Sequence, residues 1–202
     1  MNRIALFLLL VTVAAAQPDE PKFFPAEFAA DHRVPSNIRF YCSQGYTRDE
    51  CARDVGELRK ALAGYPVQRL GEWSFYLVHQ LEWKALARSR GGPAVSPAFT
   101  LLLARATVLD RSLFSESVER NLELEKWSGM PTGSAFAAFA LTHELGHALC
   151  HEKNEWLANA YGRELREGKI PHCPEQTRST EPSIAQSDSI ISQAAGEDAG
   201  TR

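Results

Sequence analysis

Apolar positions along this chain change their spacing several times, and each change marks an element. Val55, Leu58, Ala61 and Leu62 recur at helical spacing, and Thr47 with Glu50 has the pattern of a capping box. A helix is therefore expected from Thr47 to about Ala63, ended by Gly64-Tyr65-Pro66. Trp73 to Val78 is a short apolar-aromatic run suited to a buried strand. Leu81 to Arg88 reads as a short helix stopped by Gly91-Gly92-Pro93. Phe99 to Val108, rich in apolar and β-branched residues, reads as a second strand. Glu116 to Trp127 reads as a charged amphipathic helix, and Gly129 to Thr132 as a turn. An Ala/Leu/Phe-rich helix then runs to about Cys150, with Ser134 as its expected cap. The last helix is expected from about Glu155 to Glu167, with Asn154 as N-cap and Gly168 at its end. Helix, strands and then helices suggest an α+β fold.

The ends of the chain read differently. Asn2-Arg3, the apolar run Ile4 to Val13 and the small residues Ala14-Ala15-Ala16 have the layout of a secretory signal, so residues 1–16 are expected to be removed. The run is shorter than the ~20 residues a membrane-crossing helix needs, and no stable membrane anchor is expected. Residues 17–35 are Pro-rich without a clear period and read as an extended N-terminal segment. Residues 36–173 form the expected domain. From Pro174 to Arg202 there are no aromatic residues, and Ser, Gln, Glu and Ala dominate, so residues 174–202 read as a disordered tail. Over the 202 residues, 44% are hydrophobic and 23% charged, which suits one globular domain. The net charge of -3, with Lys and Arg scattered, gives no nucleic-acid footprint.

Export changes how the cysteines read. The four, Cys42, Cys51, Cys150 and Cys173, favour two disulfides in an oxidising, secreted or periplasmic setting. Of the three connectivities, the sequence-near pairs Cys42–Cys51 and Cys150–Cys173 are preferred. No C-x-x-C pair exists to suggest a zinc site built from them.

The chemistry concentrates in His143-Glu144-Leu145-Gly146-His147. Four residues of helix advance about 6 Å and slightly more than one turn, so both histidines project from one face and can hold one metal. Glu144 lies beside them, placed to act on a water. Phe136, Phe139, Leu141, Leu145 and Leu149 surround the motif and argue against a merely exposed helix. Imidazole with carboxylate suits Zn²⁺, and a catalytic zinc takes three protein ligands. His151 lies about 12 Å from His143 along a continuous helix, too far for one metal. The metzincin pattern would need Gly at 150 and His at 153, where this chain has Cys150 and Lys153. Glu155, opening a new helix after a break, is the preferred third ligand, with His172 and Glu152 as rivals. Asn159, one turn after Glu155, could accept the Nδ1–H of a ligand histidine and orient its ring. Gly162 in the same helix suggests close packing against the metal helix. Tyr161, Arg105, Arg111 and His79 are candidates for a second oxyanion donor, though packing or solvated charge explains each of them better.

The stretch His143 to His151, followed by Glu155-Trp156-Leu157-Ala158-Asn159, resembles gluzincin-type metallopeptidases. It is most similar to the ImmA/IrrE type and to a group of exported bacterial metallopeptidases. The resemblance covers roughly residues 135–165. It implies a zincin-like fold, in which a small sheet packs on the active-site helix and a following helix, and His, His, Glu ligation. The expected function is then zinc-dependent hydrolysis of a peptide or protein substrate, with Glu144 as general base. The alternative is an exported metal-binding or regulatory protein of the same fold with little or no protease activity.

Overall fold

The computed structural model describes residues 21–26, 35–90, 95–114 and 118–174. The expected signal at 1–16, the tail beyond Pro174 and the stop signal Gly91-Gly92-Pro93 lie outside them. The fold is α+β, with a five-stranded mixed sheet and five α-helices.

The first two strands, β1 (Phe23–Pro25) and β2 (Ile38–Ser43), were not legible as strands. They pair antiparallel, with Phe24 opposite Cys42. Part of the segment expected to be only extended is thus a sheet edge. α1 (Arg48–Leu62) starts at Thr47, where the capping box forms in both directions, and buries Val55, Leu58 and Leu62. β3 (Trp73–Val78) pairs parallel to β2, and α2 (Gln80–Ser89) follows it.

The run from Phe99 to Val108 is not one strand. It folds into a hairpin of β4 (Ala98–Leu101) and β5 (Ala106–Asp110), with Thr100 opposite Thr107. The intervening Leu102-Leu103-Ala104-Arg105 contains none of the usual turn residues. Arg105 takes a left-handed conformation at φ 50°, held by hydrogen bonds from its guanidinium to the carbonyls of Leu70 and Glu72. A long-range contact, rather than local turn chemistry, fixes the reversal.

The strand order is β1-β2-β3-β5-β4, with β2, β3 and β5 parallel and the two edges antiparallel. Alternation along the strands separates two cores. Phe75, Leu77 and Leu109 join α1 and a later helix, α4 (Ser134–Cys150), on one face. Val78 and Val108 join Trp83, Leu86 and Ala87 on the α2 face.

α3 (Val118–Ser128), α4 (Ser134–Cys150) and α5 (Glu155–Arg166) are the remaining α-helices among the described residues. Ser134 is the first residue of α4 and does not cap it. Gly133 occupies the cap at φ 119° and offers no side-chain acceptor. Asn154 does cap α5, accepting from the backbone of Trp156 and Leu157.

Both disulfides join sequence-near pairs. Cys42–Cys51 ties β2 to α1, and Cys150–Cys173 ties the end of α4 to the chain after α5. The second closure is geometrically simple. The 12 residues of α5 run about 18 Å, and residues 167–173 can return about 24 Å. No helix among the described residues is long and apolar enough to cross a membrane.

Candidate metal centre

The site is made by α4 and α5 packed at very short range. Gly146 and Gly162 permit it. A β-carbon on Gly146 would meet the Ala158 carbonyl oxygen at 2.5 Å, and one on Gly162 would meet that of Thr142 at 2.8 Å. Each helix therefore lays its backbone against a glycine of the other. Arg166 adds a tie, donating to the Thr142 hydroxyl at 2.6 Å.

Between the helices the chain reverses within four residues. His151 ends α4 in the left-handed conformation that closes many helices, at φ 48°. Its N–H and that of Glu152 both donate to the His147 carbonyl. This turn sets the first residue of α5, Glu155, back over His143 and His147.

Three acceptors converge as a result. The two Nε2 atoms are 3.1 Å apart, and Glu155 Oε2 lies 2.9 Å from His143 Nε2 and 3.4 Å from His147 Nε2. The far side of each ring explains the orientation. His143 Nδ1 donates to Asn159 Oδ1 at 2.9 Å, and His147 Nδ1 donates to the Glu152 carbonyl at 2.6 Å. Both partners accept, so each Nδ1 carries a proton and each Nε2 faces the cluster. Burial, reinforced by the neighbouring His147, lowers the pKa of His143. Two imidazole nitrogens and a carboxylate oxygen within one small space form a donor set that a single cation could bind.

Glu144 supports the same reading. Its side chain is buried, and Oε2 has no hydrogen-bond partner among the described residues. Burial pushes its pKa up to about 7, against an opposing contribution from Thr100. A metal cation nearby would stabilise the ionised carboxylate and lower that value. The residues present therefore fit a divalent cation held by His143, His147 and Glu155, the one such group of His, Cys, Asp and Glu side chains among the described residues.

Comparison with protein-family models, with curated proteins and with solved structures found no match. The reading of the site rests on its geometry.

The rival ligands are elsewhere. Glu152 contributes its backbone carbonyl, while its carboxylate accepts from the N–H of Asn154. His172 is exposed after α5, its N–H donating to Glu164. None of Tyr161, Arg105, Arg111 and His79 lines the cleft that holds the cluster. Arg105 braces the hairpin, Arg111 pairs with Glu50, and His79 caps α2. Tyr161 is buried in α5.

One positioning contact had no signal in the sequence. The Trp73 indole donates to the Thr107 hydroxyl at 3.1 Å, the Thr107 and Thr100 hydroxyls lie 3.2 Å apart, and the Thr100 hydroxyl donates to the Glu144 carbonyl at 3.3 Å. This chain of hydrogen bonds runs from the centre of the sheet, through edge strand β4, to α4 at Glu144. Only the hairpin register brings the two threonines together.

Proposed function

We propose that the chain is a zinc-dependent metallopeptidase of zincin type, acting on peptide or protein substrates in an oxidising compartment outside the cytoplasm. The observation that carries this is the convergence of His143 Nε2, His147 Nε2 and Glu155 Oε2 beside a buried Glu144 carboxylate. Two imidazoles and one carboxylate form a donor set that suits zinc and leaves coordination positions open. A site built only for structure would fill those positions with protein ligands. The two disulfides support the choice of compartment.

Zinc held by His143, His147 and Glu155 would supply a Lewis acid able to make water nucleophilic near neutral pH. Glu144 takes the proton from the attacking water and delivers it to the leaving amine. Asn159 and the Glu152 carbonyl hold the two rings against rotation. Edge strand β4 runs beside α4, and its outer side can pair an extended peptide by main-chain hydrogen bonds across the cleft.

The test is metal analysis combined with one substitution. Purified protein is expected to hold one zinc per chain, and His147→Ala to hold none. Glu144→Gln should keep the zinc and lose nearly all hydrolysis of casein-derived peptides. Full zinc retention in His147→Ala, or normal turnover in Glu144→Gln, would refute the proposal.

A further inference from the structure

The reversal between α4 and α5 carries one cation that the metal cluster does not use. Lys153 lines the cleft that holds the cluster, the one lysine or arginine to do so among the described residues. Elsewhere Lys60, Lys84 and Lys169 each pair with a nearby glutamate. Lys153 has Glu152 and Glu155 within two residues and pairs with neither. The Glu152 carboxylate accepts from the Asn154 N–H at 2.8 Å, and Glu155 Oε2 lies against the two histidines. The Lys153 ammonium is left without a protein partner among the described residues.

Covalent geometry places the base of that side chain. The Glu152 carbonyl accepts from His147 Nδ1 at 2.6 Å, and Lys153 follows through the same peptide unit. Standard bond lengths put its Cα within about 7 Å of that ring nitrogen. Asn154 pins the backbone on the other side, giving its N–H to Glu152 and capping α5. A lysine side chain extends about 6 Å from Cα on a flexible stem. The ammonium therefore ranges over the ground beside His147, where an extended peptide would advance about 3.3 Å per residue. Charge is balanced in the same place. Ionised Glu144, Glu152 and Glu155 offset Lys153 together with a divalent cation, so a bound anion meets no net repulsion.

We propose that Lys153 is a specificity-determining residue that binds a substrate carboxylate within two residues of the cleaved bond. That carboxylate is an acidic side chain or the free end of the substrate chain, and the chemistry of recognition is the same. The proposal rests on the metallopeptidase reading of the site. Lys153 donates hydrogen bonds to the substrate, holds no metal and moves no proton.

The test uses the zinc-loaded full chain and four metal-directed probes, the malonyl hydroxamates of alaninamide, alanine, glutaminamide and glutamic acid α-amide. Zinc content is measured first, and binding then by titration calorimetry. At least one carboxylate probe should bind about 3- to 10-fold more tightly than its uncharged counterpart, a gain between that of an exposed ion pair and that of a charged hydrogen bond. A preference for the alanine probe assigns the substrate terminus, and a preference for the glutamic acid probe assigns an acidic side chain. Lys153→Met should abolish the preference with one zinc still bound. Lys153→Arg should keep most of it, and added salt should weaken it. One zinc per chain with equal affinity for charged and uncharged probes, or with a preference that survives in Lys153→Met, would overturn the role of Lys153 and leave the metal centre standing. Absence of stoichiometric zinc would overturn the metal centre and the carboxylate site together.

Discussion

The β-carbon that Gly162 lacks would lie 2.8 Å from the carbonyl oxygen of Thr142, the residue before His143. Alanine at an ordinary helix position gains about 1 kcal/mol over glycine. Here the clash is with backbone, which cannot swing aside. Gly162→Ala is expected to destabilise the fold by about 1–3 kcal/mol, the usual cost of overpacking, and to weaken metal binding by moving α5 away from α4. Chemical denaturation and zinc titration check both effects. A variant more stable than the parent would show that the helices can separate freely.

Asn159 touches His143 Nδ1, and it would act on a metal held by the cluster only through that ring. Asn159→Ala should reduce zinc affinity about 10- to 100-fold, the usual cost of losing a ligand's supporting hydrogen bond. Asn159→Asp should restore or exceed the parent value, because a carboxylate is a stronger acceptor. Competition with a chromogenic chelator measures all three. Unchanged affinity in Asn159→Ala would remove the positioning role.

Asp110 and Arg120 form a buried ion pair at 2.8 Å, with side-chain exposures of 0% and 7%. Burial raises the pKa of Asp110 even with the guanidinium beside it. Arg120→Met leaves that carboxylate buried without its partner and should cost about 3–5 kcal/mol. The double variant Asp110→Leu/Arg120→Met should recover most of the loss. Urea denaturation of the three proteins decides.

Glu50 is held down to about pKa 2, chiefly by the backbone N–H of Thr47 and then by Arg111. The folded pKa lies below the unfolded one, so the unfolded chain binds the proton first as acid is added. The Glu50 contribution is therefore complete above about pH 4.5 and lost as pH falls toward 2. Thermal melting of the parent should fall more steeply across that window than melting of Glu50→Gln. Parallel profiles would refute the assignment.

The Cys150–Cys173 disulfide spans a sequence separation of 23. Replacing both cysteines with alanine should cost about 3 kcal/mol in the chain-entropy model. It should also loosen α5 against α4, with weaker zinc retention during dialysis against a chelator. Full stability together with full retention would show that the helix contact alone suffices.

The sequence by itself determined the features that depend on local spacing. The capping box at Thr47 and Glu50, the strand Trp73–Val78, the reach of α4 to Cys150 and the Asn154 cap are all set by neighbours within a few residues, and the structure shows each one. The placement of His143 and His147 on one face follows from helical geometry alone. Short distances along the chain also restrict where Cys42, Cys51, Cys150 and Cys173 can pair, and the observed pairs are the near ones.

Tertiary structure decided what no local rule reaches. The edge strand β1 has only three residues and exists because it pairs with β2, and β2 is held between β1 and β3 by pairing with residues distant in sequence. The β4–β5 hairpin turns where Arg105 finds the carbonyls of Leu70 and Glu72, residues more than thirty positions away. That hairpin sets Thr100 beside Glu144, and Glu152 supports His147 through its backbone carbonyl, an atom every residue carries. Motif spacing placed the histidines on one face, and only the packing of α5 against α4 brings Glu155 and Asn159 to them.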